Sequence, residues 1–403
     1  MAWRKEELRR LFLRHVCQTS SEPLGLVVER ASGSFVYTVD GEAYLDFMSG
    51  IAVNNIGHTH PKVVSAIVEQ AQKYLHVMVY GEYVLEPQVT LAKRLSELLP
   101  EPLDVVYFTN SGTEANEGAL KVAKKFTRRS KLIAFDGSFH GDTHGSLSVT
   151  GRSVYREPFE PLLTNVTFLP FNDVDALGEI DEQTAAVIVE PIQGEGGIRI
   201  PSERFMRELR SRCDQVGALL IFDEVQTGFG RTGRMFALEH WGIVPDIITL
   251  AKALGGGMPI GAFVGRADVM GTLSQEPPLS HVTTFGGHPV CCAAALASLD
   301  VIIGERLWER ANTVGEYIIG RLRKLKWGSN LILDVRGLGL LIGIEFAHEG
   351  AARRFVSQSL KRRLILGWTL HSERVVRVAP PLNVSDDEVE MAMDIMEKAL
   401  REN

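Results

Sequence analysis

Residues 247–263 read IITLAKALGGGMPIGAF and place one lysine and three consecutive glycines between two short apolar runs. Each run is too short for a helix, so the stretch predicts two buried strands. Lys252 comes just after the first strand, where a charged amine is costly to keep near apolar surface. The glycines at 255–257 indicate that the backbone passes close to a ligand or a partner subunit, although a simple turn between strands explains them nearly as well. The lysine therefore needs a chemical explanation.

Similar apolar runs recur outward from this stretch and alternate with segments of helical length. Such alternation is typical of a parallel sheet whose two faces are covered by helices. We therefore expect an α/β fold with a mainly parallel central sheet. The predicted strands are VVYF (105–108), KLIAF (131–135), AAVIVE (185–190), ALLIF (218–222), IITL (247–250) and GAFVG (261–265).

The two ends of the chain differ from this middle part. Residues 24–48 alternate around an Asp40–Gly41 turn, which predicts a hairpin or meander. Helical segments over 301–326, a strand-like run over 331–346 and a final helix capped by Ser385 follow the middle part. The predicted division is a large domain over 49–301 and a smaller α+β domain made of 1–48 together with 302–403.

Composition limits the classes of partner. The 403 residues carry a formal net charge of −7, and the sequence pI is near 5.9, which argues against nucleic acid or an anionic membrane. The four cysteines show no spacing typical of zinc or of a disulfide framework, and we expect no metal. The basic N-terminus contains Glu6 and Glu7 and predicts an amphipathic helix rather than a targeting segment. We expect a cytoplasmic protein that binds small molecules.

Polar groups stand where the predicted strands end, which is where open parallel sheets bind ligands. Ser111 and Gly112 lead into a helix that we predict to begin near Thr113. The free N–H groups at the start of this helix would suit a phosphate, although the same residues would also form a plain helix cap. Asp223 follows ALLIF as a carboxylate that needs a cationic partner or caps a helix. One helix-containing crossover fits between Asp223 and Lys252, so both should lie at one edge of the sheet.

A phosphate cradle, a strand-end carboxylate and a strand-end lysine together suggest pyridoxal phosphate. This cofactor needs a lysine for its Schiff base, an acid that keeps its pyridine nitrogen protonated and an anchor for its phosphate. The sequence offers one candidate for each need.

At this point the chain resembles the class III aminotransferases of fold type I, the group of acetylornithine, ornithine and 4-aminobutyrate aminotransferases and ω-amine transaminases. The resemblance covers nearly the whole chain, and its motifs occur in the family's order. The most specific are FTNSGTEANEGALKVA (108–123), FHGDTHGSLSVTG (139–151), VEPIQGEGG (189–197), FDEVQTGFGRTG (222–233), PDIITLAKALGGGMPIGA (245–262), TTFGGHPV (283–290) and RVAPPLNVS (377–385). The resemblance implies a fold type I large domain with a smaller domain from both termini, and a homodimer with shared active sites.

The family pattern also implies roles for individual residues. Lys252 would be the Schiff-base lysine and the proton-transferring base, and Asp223 the partner of the pyridine nitrogen. The implied cofactor-binding residues are Ser111, Gly112 and Thr113 at the phosphate, Thr284 reaching it from the neighbouring subunit, Val225 and Phe139 on the two ring faces, Gln226 at the ring hydroxyl, His140 in an orienting role, and Glu190.

Substrate choice is predicted to rest on a second group of residues. Arg377 resembles the arginine that holds a substrate α-carboxylate, and Glu195 the glutamate that pairs with it when the substrate has none. Asp142 stands where acetylornithine, ornithine and 4-aminobutyrate aminotransferases usually read F-H-G-R-T, and it would repel a distal carboxylate or serve only as a structural acceptor. Diaminopelargonate-type aminotransferases share the F/Y-H-G-D-T form, so this position alone does not select a substrate. Tyr83, Ile51 and Val53 would form pocket walls or simply pack in the core.

These features predict transfer of an amino group from a primary amine or ω-amino acid to 2-oxoglutarate or pyruvate by a ping-pong mechanism. A racemase or epimerase of the same family would keep every cofactor residue, and so would an acetylornithine or 4-aminobutyrate aminotransferase. A non-catalytic relative is the remaining alternative, and the intact Lys252 and Asp223 argue against it.

Overall fold

The computed structural model describes residues 5–327 and 330–402, and its regular elements are numbered in chain order. The helices are α1 (Lys5–His15), α2 (Ser49–Ala52), α3 (Pro61–Lys73), α4 (Glu86–Leu98), α5 (Gly112–Thr127), α6 (His144–Ser148), α7 (Ser153–Arg156), α8 (Glu203–Val216), α9 (Ala267–Met270), α10 (Pro289–Gly304), α11 (Leu307–Trp327), α12 (Glu349–Lys361) and α13 (Asp386–Arg401).

The strands are β1 (Val28–Ser32), β2 (Phe35–Thr38), β3 (Ala43–Asp46), β4 (Val105–Thr109), β5 (Lys131–Phe135), β6 (Val166–Leu169), β7 (Thr184–Val189), β8 (Leu219–Asp223), β9 (Ile247–Leu250), β10 (Gly261–Gly265), β11 (Ile332–Leu338), β12 (Leu341–Phe346), β13 (Leu364–Ile365), β14 (Gly367–Thr369) and β15 (Ser372–Val378). Short 3-10 helices cover Glu157–Phe159, Asp175–Glu179, Ala237–His240, Lys252–Gly255 and Gly271–Ser274.

The central sheet has seven strands in the order β4-β10-β9-β8-β7-β5-β6. All its pairs are parallel except those of β10, which runs antiparallel to β4 and to β9. The predicted α/β fold with a mainly parallel sheet is confirmed, and each of the six predicted strands forms within one residue of its expected bounds. Strand β6 was not predicted, because this edge strand is only partly buried and lacks a continuous apolar run.

The middle of the sheet is apolar on both faces. Strands β7, β8, β9 and β10 are buried at every residue, and α5 covers one face of the sheet. The packing is close enough that a Cβ on Gly118 of α5 would lie 2.2 Å from the ring of Phe263. Burying each large side chain of these strands contributes about 1.5–3 kcal/mol. The strand ends are therefore held at fixed positions.

Strands β8 and β9 are adjacent and parallel, as expected for the strands that end at Asp223 and precede Lys252. The crossover between them was predicted to contain a helix, and that prediction is wrong: its regular structure is the 3-10 helix Ala237–His240. Glu224 explains this, because its buried carboxylate accepts the N–H groups of Ala237 and Leu238, both at 2.7 Å. A side chain therefore holds this loop in place of α-helical bonds.

The two ends of the chain form two smaller sheets, β1-β2-β3-β13 and β11-β12-β15-β14. The predicted turn at Asp40–Gly41 joins β2 to β3, and the final helix begins after Ser385, whose side chain accepts the Glu388 N–H. The helical segments predicted over 301–326 form as the end of α10, which begins earlier, and as α11. Strand β13 pairs with β3, so the two ends meet, while the division at 49 and 301 stays a prediction.

The predicted N-terminal helix forms as α1, and residues 1–4 lie outside the described part. Among the described helices, none is both long and apolar enough to cross a membrane.

Arg231 ties three parts of the chain together although it is fully buried. Its guanidinium donates to the carbonyls of Leu340 at 3.0 Å and Pro380 at 2.6 Å, and to Asn55 Oδ1 at 2.6 Å. Burial, and then the charge of Arg377, lower the pKa of Arg231 to about 9. Carbonyl and amide oxygens in place of a carboxylate thus accept from both terminal nitrogens of this cation.

We expect Arg231→Met to lower the free energy of unfolding by about 3 kcal/mol, because it leaves several buried acceptors without a donor. Chemical denaturation followed by circular dichroism measures this loss. Arg234→Met is the matched control, since Arg234 is exposed three residues away, and it should change stability by no more than about 0.5 kcal/mol. Equal stability of the two variants would contradict the structural role of Arg231.

Candidate active site

A cavity of about 630 Å³ opens beyond the carboxyl ends of β8 and β9. Most of the predicted site residues line it, although they come from distant parts of the chain. Those that line it are Val53, Ser111, Gly112, Thr113, Phe139, His140, Asp142, Glu190, Glu195, Asp223, Val225, Gln226 and Lys252. The sheet therefore brings the predicted phosphate cradle, carboxylate and lysine to one cavity.

Lys252 is half-buried and begins the short 3-10 helix that follows β9. Its φ of 47° is in the left-handed region, a conformation that a non-glycine residue adopts at some cost in energy. Burial lowers the pKa of Lys252, and the charge of Glu195 only partly opposes this. A lowered pKa increases the neutral fraction of the amine, and only the neutral amine acts as a nucleophile or a base.

Asp223 is held by hydrogen bonds from three sides. Its Oδ2 accepts from His140 Nδ1 and from Asn116 Nδ2, both at 2.8 Å, and its Oδ1 accepts the Val225 N–H at 3.0 Å. The bond to Asp223 requires a proton on His140 Nδ1, and His140 Nε2 is buried with no hydrogen-bond partner in the described part of the chain. These bonds fix the carboxylate at the cavity wall.

Asn116 is itself oriented by its neighbours. Its Oδ1 accepts from Thr249 Oγ1 at 2.7 Å, so its Nδ2 must be the atom that faces Asp223 and the His140 carbonyl, the latter at 2.7 Å. The sequence analysis missed both Asn116 and Thr249. A signal was present, because each is a polar residue inside an apolar segment, Asn116 on the buried face of α5 and Thr249 within IITL.

Helix α5 begins at Gly112 and directs its N-terminus at the cavity, within one residue of the predicted start. Ser111 is the N-cap and accepts the Glu114 N–H at 3.3 Å. A Cβ on Gly112 would lie 2.7 Å from Val225, and one on Gly141 would lie 2.3 Å from Thr113 Oγ1. Only glycine leaves this wall open, and first-turn N–H groups have no partner within a helix.

Glu190 joins two segments of the site and is buried. Its Oε1 accepts the Phe139 N–H and its Oε2 the Gly194 N–H, both at 2.9 Å. Burial raises the pKa of Glu190 to about 7. The side chain therefore holds Phe139 against the loop that carries Glu195.

Glu195 and Arg377 form a buried ion pair through Glu195 Oε1. Gln226 Nε2 donates to the same oxygen at 3.3 Å. Burial alone would raise the pKa of Glu195, but the charge of Arg377 and its hydrogen bond hold that pKa below its usual value. Glu195 lines the cavity and Arg377 does not, so the glutamate covers the arginine.

The remaining predicted residues are more exposed. Asp142 lines the cavity and is exposed to solvent. Tyr83 and Ile51 do not line this cavity, and their side chains are exposed. Thr284 also lies outside it and is exposed, with its carbonyl accepting from His76 Nε2 at 2.9 Å. The roles of Tyr83 and Thr284 stay predictions.

The residues of the cavity fit pyridoxal phosphate. A helix N-terminus with two obligatory glycines, an oriented carboxylate and a lysine with a lowered pKa meet the three needs of the cofactor. Gln226 Oε1 and His140 Nε2 are buried and have no hydrogen-bond partner in the described residues. Hydrogen bonds within the protein therefore do not satisfy every polar group around the cavity.

Known proteins resemble the chain over nearly its whole length. The family model of class III aminotransferases matches residues 16–400. The chain is 42% identical over 393 residues to the acetylornithine aminotransferase of Methanothermobacter thermautotrophicus, covering 97% of each chain. It is 44% identical over 388 residues to the enzyme of that name from Methanopyrus kandleri, covering 96% of this chain and 97% of the other.

Solved structures are similar over the same length. The ornithine aminotransferase of Toxoplasma gondii superposes with a TM-score of 0.93 at 32% identity, covering all of this chain and 96% of the other. An (S)-enantioselective omega-transaminase of Thermomicrobium roseum does so with a TM-score of 0.93 at 30% identity, covering all of this chain and 99% of the other.

We expect Asn116→Ala to weaken binding of pyridoxal phosphate to the apoprotein about tenfold, because Asp223 loses one of its donors. Titration of the apoprotein with the cofactor, followed by protein fluorescence, measures the Kd. Thr249→Val removes only the group that orients Asn116 and should have a smaller effect in the same direction. An unchanged Kd in Asn116→Ala would show that His140 and Val225 suffice to hold the carboxylate.

Proposed function

The chain belongs to the class III aminotransferases, which depend on pyridoxal phosphate, and on that basis we propose that it moves a terminal amino group from a primary-amine donor to a 2-oxo acid. The buried Glu195–Arg377 pair carries this proposal. When bound, the cofactor supplies an electron sink for the pair released from the C–H bond next to the amine. The protein supplies orientation, proton transfer and recognition of the two substrates.

Lys252 is assigned the covalent attachment of the cofactor and the proton transfers. Its lowered pKa favours a neutral Nζ, which takes the proton from the donor carbon and returns it at the other end of the reacting system. Asp223 keeps the ring nitrogen protonated, and its three donors keep the carboxylate in place. Donor and acceptor use one cavity in turn, which gives a ping-pong mechanism.

The pairing of Glu195 with Arg377 lets one cavity serve two kinds of substrate. A donor without a carboxylate beside its reacting amine meets an arginine that Glu195 already neutralises. A 2-oxo acid needs the opposite, because its carboxylate must displace Glu195 to bind the planar guanidinium with two hydrogen bonds. We therefore assign Arg377 to 2-oxoglutarate or pyruvate and Glu195 to the amine half-reaction.

Asp142 bears on the far end of the donor. It stands exposed at the cavity, where its carboxylate repels a distal carboxylate and attracts a second amine. This favours simple amines and diamines. A second candidate donor is N-acetylornithine, which is supported by the names of relatives that are 42% and 44% identical to the chain.

We further propose a homodimer in which Thr284 of each subunit reaches the phosphate of the other. Thr284 lies outside the cavity of its own chain. Its neighbours Leu279, Val282 and Phe285 are exposed apolar residues, and Val84 is 90% exposed. Exposed apolar residues of this size indicate a surface that a second copy covers.

Lys252→Ala should abolish both the visible absorbance of the lysine-linked cofactor and turnover, because no other amine replaces Nζ. The measurements are the absorbance spectrum of the purified protein and its transaminase rate. Lys62→Ala, at an exposed lysine, is the control and should match the wild type in both. Retained turnover by Lys252→Ala, with an unchanged circular dichroism spectrum, would contradict its central role.

The donor is identified by single half-reactions in which the bound cofactor converts to pyridoxamine phosphate. We expect putrescine and 1-phenylethylamine to react several-fold faster than 4-aminobutyrate and N-acetylornithine, since repulsion by Asp142 costs about 1 kcal/mol. Asp142→Asn should reduce that preference. A fastest reaction with N-acetylornithine would establish the second candidate, and interconversion of amino-acid enantiomers without a keto acid would indicate a racemase.

A further inference from the structure

The turn Leu370–His371 connects β14 to β15 and contacts Glu195 with both of its N–H groups. The Leu370 N–H donates to Glu195 Oε2 at 2.8 Å, and the His371 N–H donates to the Glu195 carbonyl at 3.0 Å. Arg377 lies on β15, opposite Gly367 of β14. The β14–β15 hairpin therefore binds both carboxylate oxygens of Glu195. Arg377 binds Oε1, and the Leu370 N–H in the turn binds Oε2.

The Leu370 carbonyl connects the Leu370–His371 turn to the side of the cavity that the central sheet forms. That oxygen accepts from Tyr155 Oη at 2.8 Å and from Arg152 Nη1 at 3.2 Å. Arg152 immediately precedes α7, and Tyr155 lies on it, so a single segment holds the carbonyl. These two bonds set the direction of the Leu370–His371 peptide group, which carries the His371 N–H, and they restrain Leu370, whose own N–H bonds Glu195.

His371 fixes the other half of the turn. Its ring stacks on Tyr155 at a centroid distance of 5.1 Å and meets Phe139 edge-on at 5.9 Å. Its Nδ1 donates to the Gly137 carbonyl at 3.1 Å, and burial lowers the pKa of His371, which favours the neutral ring. The turn is thereby connected to the segment that carries Phe139.

We propose that the Leu370–His371 turn is a latch that holds Glu195 on Arg377 and so determines how easily a substrate carboxylate gains the arginine. The inference rests on the proposed use of Arg377 as the carboxylate site. In the structure the Leu370 N–H bonds Glu195 Oε2 while Oε1 lies on Arg377, and we infer that movement of the glutamate away from the arginine breaks both contacts. A contact made in only one of two states shifts the equilibrium towards that state.

The latch predicts a gain of function when it is broken. Loss of the Leu370 N–H bond weakens the paired state, which leaves Arg377 more available, so carboxylates should bind more tightly. A turn that served only to support the fold would give the opposite result, because a damaged site binds its ligands less well. The Leu370 side chain is 45% exposed, so this position can be changed with little loss of packing.

Leu370→Pro removes the N–H donor, and the preceding Thr369 lies in strand β14, the extended conformation that a residue before proline needs. Leu370→Ala is the matched control, because it shortens the side chain and keeps the N–H. The probe is glutarate, a dicarboxylate that lacks the keto group, titrated into the holoenzyme by calorimetry. We expect glutarate to bind Leu370→Pro roughly 3- to 10-fold more tightly than wild type, the range of one such bond, and Leu370→Ala to match wild type.

Tyr155→Phe tests the latch without a change in the turn itself. It removes the hydroxyl that bonds the Leu370 carbonyl and keeps the ring that stacks on His371. We expect tighter glutarate binding again, by a smaller factor, and a higher KM for a simple amine, whose half-reaction needs Arg377 neutralised. Unchanged or weaker glutarate binding in folded Leu370→Pro and Tyr155→Phe would overturn the latch.

Arg377→Ala separates this inference from the proposed function. Loss of glutarate binding in Arg377→Ala, together with no gain in the two latch variants, would reject the latch alone. Glutarate binding that Arg377→Ala leaves intact would reject Arg377 as the carboxylate site and the latch with it.

Discussion

The buried carboxylate of Asp223 imposes the strictest requirement on the structure. A carboxylate at the end of an apolar strand is tolerated only with several donors, and here Asn116 on α5, His140 after β5 and the Val225 N–H provide them. Two of these donors reach Asp223 only if α5 packs on the sheet and β5 lies two strands from β8. The order of the strands and the close contact of Gly118 with Phe263 therefore serve the carboxylate as well as the core.

Among the buried cations of the described residues, Arg231 differs from Arg377 because its partners carry no negative charge. Arg231 has no carboxylate partner among its hydrogen bonds and lies close enough to Arg377 for each charge to be unfavourable to the other. An uncompensated Arg377 would therefore add a second free cation to a region that already holds one. In the proposed mechanism either Glu195 or a substrate therefore supplies a carboxylate to Arg377 at each stage. This explains why exchange between the two, rather than simple opening of the pair, suits the site.

The sequence predicted the parts of the fold that depend on local pattern. Strands β7 to β10 were identified because each contains a run of mainly apolar residues. The partly buried β6 was missed, and the crossover after β8 was predicted wrongly because a single side chain, Glu224, shapes it. The cofactor residues were found through motifs of the family. Asn116, Thr249 and the 370–371 turn were not, because their importance lies in hydrogen bonds between residues far apart in the chain, which no local pattern records.

In the proposed mechanism, two separate places recognise the substrate: the Glu195–Arg377 pair and Asp142. No hydrogen bond described for these side chains joins the two places. We propose that Glu195 and Arg377 recognise a carboxylate beside the reacting carbon, and that Asp142, which lines the cavity and is exposed, faces the far end of the donor. A change at Asp142 can alter the donor without disturbing the network around Asp223, since neither Asn116 nor His140 bonds its side chain. Strong similarity to acetylornithine aminotransferases is therefore compatible with a different donor. Similarity over the whole chain reflects mostly the fold and the cofactor site, whereas the donor preference that we propose depends on the charge of a single exposed residue, Asp142.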